Sequence, residues 1–224
     1  SLKVISVGLI LSTIIGIGIG LARISKNRGL RFFSTIYVAS IRQVPLLLQL
    51  LFWYFVAFIR IPSTPLNIIG DLLILSNQGV KALGLNLSIE FSALLVGLTV
   101  FTSASIAELV RGGISSVSFG QWEAFRSLGI QEQLGLRKIV IPQALPAILP
   151  GLTSQYLNLA KNSTLAIAIG YPDIYAVSDT IITQTGRSIE GFTLLILGFL
   201  LLNMIITTIM EAINTFVLGI CNPQ

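Results

Sequence analysis

The sequence predicts an all-α membrane protein with about five transmembrane helices, and three observations predict it. Of 224 residues, 54% are apolar and only 10% are charged, where an average soluble domain carries roughly 25% charged residues. Mean hydropathy is +0.88. The charges are also spaced so that uncharged runs approach the ~20 residues that cross a bilayer as a helix. A single transmembrane domain over 1–224 is expected, with an external loop at about 60–90 and a cytoplasmic loop at about 108–142. No inverted or parallel repeat is visible. There is no His, which removes Ser-His-Asp and Cys-His catalysis, His-ligated metals and haem. The single Cys221 cannot form an intrachain disulfide, and its CNPQ tail is not a prenylation box. The formal charge of +5 is expected in cytoplasmic loops rather than on a nucleic-acid surface. No cleavable signal pattern precedes the first apolar run, and an extension before Ser1 is left open.

The first span is Val4–Ala22, 19 residues without a charge. Gly8, Ser12, Gly16 and Gly20 fall every four residues, a small-residue face suited to close helix packing. Arg23, Lys26, Arg28 and Arg31 follow in a polar stretch. The second span runs from about Ile36 to Ile59 and contains Arg42, Pro45 and Gln49. The segment from Arg60 to Glu90, rich in Pro, Asn and Gly, reads as an extramembrane loop with one short surface helix. The third span is Phe91 to about Ala107. From Glu108 to Lys138 the charge density rises, and two short helices joined at Gly129 are expected. Pro142, Pro146 and Pro150 favour a late start for the fourth span, about Leu149–Ile169, because Pro belongs in a first turn or at a kink. Lys161 then lies ~17 Å along that helix, near the middle of the bilayer. The last span is Gly191–Met210.

Basic residues orient the chain. The loops after spans one and three share a side that holds Arg23, Lys26, Arg28, Arg31, Arg42, Arg111, Arg126, Arg137 and Lys138, nine of the fourteen Lys and Arg. The positive-inside rule makes that side cytoplasmic, with the N-terminus outside and the C-terminus inside.

The cytoplasmic loop carries a spaced motif. It reads Glu123-Ala124-Phe125, three residues, Gly129, nine residues, then Ile139-Val140-Ile141-Pro142. This resembles the EAA loop of the permease subunits of ATP-binding-cassette importers, E-A-A, three residues, G, nine residues, I-x-L-P. Phe125 and Ile141 depart from it, both apolar. Arg42-Gln43-Val44-Pro45-Leu46 with Gln49, Ala107-Glu108-Leu109-Val110-Arg111-Gly112-Gly113-Ile114, Gly120-Gln121-Trp122 and Lys161-Asn162-Ser163-Thr164-Leu165 are similar to runs in the polar amino-acid branch of that family. Ile169-Gly170-Tyr171-Pro172-Asp173 points to its general L-amino-acid members.

The resemblance implies a type I importer permease fold in a bacterial inner membrane. It implies a second permease chain, homologous or identical, that completes the translocation pathway. Two cytoplasmic ATPases would dock on the EAA loop, and a periplasmic or lipid-anchored binding protein would deliver an L-amino acid. Glu123, Ala124, Phe125, Gly129, Ile139 and Pro142 would couple to the ATPase. ATP and Mg²⁺ would sit on the partner subunits; this chain has no G-x-x-x-x-G-K-[ST], is expected to be no enzyme and binds no cofactor of its own. Glu123, read as near a helix start, suits the helix dipole and either caps its own helix or pairs with a basic group of the ATPase.

An ionisable group inside a bilayer is a functional candidate. Gln155, Asn158 and Asn162 share a helical face, with Lys161 beside it and Thr164 following. Lys161 either holds a substrate carboxylate or pairs with Glu108, Asp173 or a carboxylate of a partner chain. Arg42 reads as a snorkelling contact or an inner gate, Pro45 as a kink, Gln49 as pore-lining, and Glu108–Arg111 as a structural pair. An ion-coupled secondary transporter or a channel acting without ATP is the alternative. Ile169–Asp173 resembles a potassium filter, but Pro172 and Ala168 stand where Gly and Thr belong. A Ser/Lys hydrolase fails because Lys161 and Ser163, two apart, do not face each other.

Overall fold

Helices α1 (Leu2–Ile24) and α4 (Ile89–Ser115) lie along each other, and small residues set how closely. Gly8, Ser12, Gly16 and Gly20 are all buried on α1. A Cβ on Gly16 would come within 2.7 Å of Ile106, and one on Gly20 within 2.7 Å of Val110. Gly16 and Gly20 therefore lie on the contact line with α4, while Gly8 faces Leu159 as well as Leu95 of α4. The structure, a computed structural model, describes residues 2–60, 66–67, 73–76, 79–82 and 85–221.

Among the described residues three helices are long and apolar enough to cross a membrane: α1, α4 and residues Ser188–Val217 of α9 (Ser188–Cys221). Two bent helix pairs bring the total to five if each crosses once. The five-helix expectation is met, with two of the spans sharply bent.

The second span is broken. Helix α2 (Arg28–Gln43) starts at Asn27, whose Oδ1 accepts from the backbone N–H of Gly29 at 2.9 Å. It stops at Val44, held extended at φ −97° and ψ 127° because the residue before a proline is pushed out of the helical region. Helix α3 (Leu46–Leu51) then begins and passes into a π-helix over Phe52–Phe58. The direction changes by 104° across the break. The kink expected at Pro45 is a sharp corner.

The fourth span starts earlier than the prolines suggest. Helix α6 (Glu132–Gly135), a π-helix over Leu136–Val140 and α7 (Ile141–Asn162) follow one another without a gap. Pro146 and Pro150 lie inside α7, with Pro142 near its start. The prolines are four apart, so the missing N–H of each faces the carbonyl of the previous one along one side. Burial of Ala144, Ile148 and Leu149 holds the rest of the helix in place. A 3₁₀ helix, Ser163–Ile169, ends at Gly170 with φ +71°, and α8 (Ile174–Thr185) restarts with Asp173 as its cap. The Ile169–Asp173 run is a helix stop and restart, not a row of filter carbonyls.

The segment between Phe58 and α4 departs from the expected loop and surface helix. Strands β1 (Leu66–Asn67), β2 (Leu73–Ser76), β3 (Gly79–Ala82) and β4 (Leu85–Leu87) form an antiparallel meander in the order β1-β2-β3-β4. Ser76 pairs with Gly79, so only two residues connect β2 to β3.

Two buried clusters stack along α4. One gathers Leu50, Leu94, Leu98, Ala166 and Ile169; the other gathers Ile106, Val110, Phe125, Val140, Ala144 and Ile148. The second carries the site. Helix α9 packs on α7 and leaves Leu194, Leu197, Leu201 and Ile205 exposed, an apolar face suited to lipid.

Candidate functional site: the two-helix element and the polar face behind it

Helix α5 (Phe119–Ser127) and the short α6 form the two-helix element expected from the sequence. Gly129 joins them at φ +69°, a backbone state that glycine adopts without a Cβ penalty. The turn has a specific hydrogen-bond pattern. Gly129 N donates to Arg126 O at 3.0 Å, and Ile130 N donates to Phe125 O at 3.0 Å. This is a Schellman motif, with the apolar Phe125 and Ile130 at the two positions that pack together. The glycine of the motif is therefore a helix stop that fixes the angle of the turn.

Phe125 anchors the element. It is 1% exposed and lies in the cluster with Val110, Ile114 and Val140. Its ring takes the space where Gly135 has no side chain. The opposite face of α5 is open: Glu123, Ala124 and Ser127 lie on the outer side with the exposed Phe119 and Leu128, the last at 77%. Glu123 is the fifth of nine residues, past the first turn where the dipole acts, so the expected cap role does not apply. Among the described residues it makes no ion pair. Ile139 and Pro142 are half-buried in the run that leads into α7.

Charges tie this element to the first span. Glu132 of α6 accepts from Arg126 at 3.0 Å and from Lys26 in the α1–α2 turn. The Arg126 guanidinium also lies 5.5 Å from the centre of the Trp122 ring. These contacts join α5 and α6 to the end of α1.

Behind it lies a second charged group. Arg111 Nε donates to Glu108 Oε1 at 3.0 Å, and Arg23 of α1 pairs with the other oxygen. The expected Glu108–Arg111 pair forms; Arg23 is the partner that sequence reasoning missed. Nothing local signals it, since the two residues are 85 apart in the chain. Glu108 and Arg42 line a cavity of about 440 Å³ together with Ser105, Gly112, Ala147 and Gln155. They also line a neighbouring one of about 410 Å³ with Arg23 and Thr35.

The remaining candidate residues separate into three settings. Gln155 faces the larger cavity. Ser154, Asn158 and Lys161 are exposed on α7, while Asn162 at its end and Thr164 in the 3₁₀ helix that follows are half-buried. Among the described residues Lys161 makes no ion pair with Glu108 or Asp173. Gln49 is buried, and its Nε2 donates to Ile41 O and Val44 O at 2.8 Å each. That side chain closes the corner at Pro45 and does not line either cavity described here. Among the described residues no group of acidic or cysteine side chains is arranged to hold a metal.

The chain is similar to known proteins over most of its length. Residues 13–218 match the family model described as a binding-protein-dependent transport system inner membrane component. The chain is 30% identical to the general L-amino acid transport system permease protein AapQ of Rhizobium johnstonii, over 96% of this chain and 74% of that one. It is 32% identical to the glutamate/aspartate import permease protein GltJ of Escherichia coli (strain K12), over 92% of this chain and 79% of that one. Its fold matches a chain in a crystal structure of an amino acid ABC transporter with histidines, at TM-score 0.75 and 26% identity, covering 96% of this chain and 89% of that one.

Proposed function

Because this chain belongs to the family of inner membrane components of binding-protein-dependent transport systems, we propose that it is a permease subunit of an ATP-driven importer of L-amino acids. The observation that carries the reading is the α5–Gly129–α6 element, with Phe125 locked underneath and Phe119, Ala124 and Leu128 open above. An exposed Leu and Phe on a rigid, anchored helix call for a protein partner. That partner is a cytoplasmic ATPase, one for each of two permease chains. ATP and Mg²⁺ bind there, and this chain contributes no hydrolysis. A binding protein outside the membrane releases the amino acid into the path.

The N-terminus lies outside and the C-terminus inside, as the basic residues around Arg23 and Arg126 require. Closure of the ATPases pushes α5. Phe125 carries the push into α7, and Glu132 carries it to Lys26 at the end of α1. The amino acid crosses along the polar side of α7, where Ser154, Asn158 and Lys161 would be wasted on lipid. Lys161 offers a counter-charge for the carboxylate that every amino acid carries. Arg42, between the two cavities, gates the inner end. The relatives' names support amino acids as cargo, and family membership favours ATP over ion coupling.

Extraction in mild detergent, followed by mass spectrometry of what copurifies, tests the reading. A soluble protein with a Walker A motif is the expected companion. Recovery of the chain alone, with uptake that follows an ion gradient and ignores ATP, would replace the importer with the secondary-transporter reading.

A further inference from the structure

We propose that α2 lies in the membrane interface and binds anionic phospholipid headgroups through Arg28 and Arg31, with Phe32, Phe33 and Ile36 in the acyl region. The geometry begins at the corner. The segment Leu46–Phe58 rises only ~20 Å, whereas the hydrocarbon core is about 30 Å thick. The corner at Val44 and Pro45 therefore lies inside one leaflet. With a 104° change of direction, α2 runs across that leaflet instead of through it.

The faces of α2 divide as an interfacial helix requires. Ser34 and Val38 are buried, Val38 against Ala104 and Ala107 of α4. The remaining surface has two flanks. Arg28 and Arg31 stand at i and i+3 on a polar flank whose far end, Thr35 and Arg42, opens onto the cavity shared with Arg23 and Glu108. Phe32, Phe33 and Ile36 adjoin it, 61%, 72% and 47% exposed, with the two rings edge-to-face at 5.7 Å. A basic flank beside an aromatic one, on a helix laid across a leaflet with long arginine stems that reach toward the headgroups, is the pattern of interfacial membrane binding.

Charge selects the occupant. The first 70 residues contain no Asp or Glu. Among the described residues, Lys26 finds Glu132, while Arg28 and Arg31 make no ion pair. A second copy of this chain laid on the same face would bring arginine against arginine. A phosphate of an anionic lipid fits both flanks at once.

The test uses the chain with its copurifying subunits, reconstituted into vesicles of phosphatidylcholine and phosphatidylglycerol. Phe33→Trp adds a fluorophore at the apolar flank, read as the difference from the parent with Trp53 and Trp122. Dibrominated versions of each lipid serve as quenchers. Both lipids are expected to quench, and phosphatidylglycerol is favoured by about fivefold for each arginine that holds it, the equivalent of about 1 kcal/mol per basic residue. Arg28→Gln/Arg31→Gln brings the preference close to one. The charge-matched pair Arg137→Gln/Lys138→Gln, beyond α6, leaves it intact. Absence of quenching by either lipid would mean that protein covers Phe33 and would overturn the proposal. Equal quenching by both lipids, or equal loss in the two charge variants, would overturn it as well. None of these outcomes depends on what the protein transports.

Discussion

The Phe125 ring occupies the place of a side chain that Gly135 does not have. A Cβ at Gly135 would sit 2.5 Å from Phe125 Cδ2, inside the contact distance of real carbon atoms. Ten residues apart, the two positions form one joint between α5 and α6. The EAA loop that this segment resembles carries Ala where this chain has Phe125, and Gly135 is what makes room for the larger ring.

This joint predicts a non-additive pair. Phe125→Ala empties a fully buried site and is expected to cost about 3–5 kcal/mol. Gly135→Ala forces a methyl against a ring held on all sides and is expected to cost about 1–3 kcal/mol. In Phe125→Ala/Gly135→Ala the new methyl fills part of the space the ring leaves. The double variant should then be more stable than the sum of the singles implies, by about 1 kcal/mol or more. Thermal unfolding of the purified complex reads the stabilities, and ATP-driven uptake in vesicles should follow the same order. Strict additivity would mean that the two residues do not share a joint.

Lys161 predicts a separation of transport from folding. It is exposed and, among the described residues, makes no ion pair, so Lys161→Met breaks no salt bridge within them. Unfolding temperature and copurification of partners should stay at parental values. Uptake should fall at least tenfold, about 1.4 kcal/mol of lost transition-state binding, if the ammonium meets the substrate carboxylate. Parental uptake in this variant would remove Lys161 from the path. Loss of a copurifying permease would instead reveal a subunit contact.

The sequence revealed whatever depends on local pattern. Uncharged runs marked the spans, glycines every fourth residue marked the α1–α4 contact, and Gly129 marked the α5 stop. Three features escaped because tertiary contacts decide them. The three prolines of α7 read as a late helix start, yet burial of Ala144, Ile148 and Leu149 carries the helix through them. Gln49 read as pore-lining, yet it turns back to two carbonyls freed at the Pro45 corner. Arg23 could not be matched to Glu108 from sequence, since nothing between them fixes how α1 and α4 align. The meander did leave a signal: apolar Leu73–Ser76 and Gly79–Ala82 flank Asn77-Gln78, a two-residue hairpin spacing. The high Pro, Asn and Gly content around it masked that spacing.

Three glycines of α1 predict opposite outcomes for the same substitution. Gly16 and Gly20 face α4, and a methyl there would meet Ile106 and Val110 at 2.7 Å, with backbone carbonyls of α4 just behind. Neither neighbour can yield without moving the helix, so Gly16→Ala and Gly20→Ala should each cost about 1–3 kcal/mol. At Gly18 a methyl would meet nothing within 4 Å. Gly18→Ala should be neutral or stabilise the helix by about 0.5–1 kcal/mol, because alanine loses less backbone freedom than glycine. Thermal unfolding of the three variants side by side checks the contrast. If Gly18→Ala destabilised as much as Gly16→Ala, the free side of α1 would be covered in the assembled transporter. The second permease chain would then be the element to look for there.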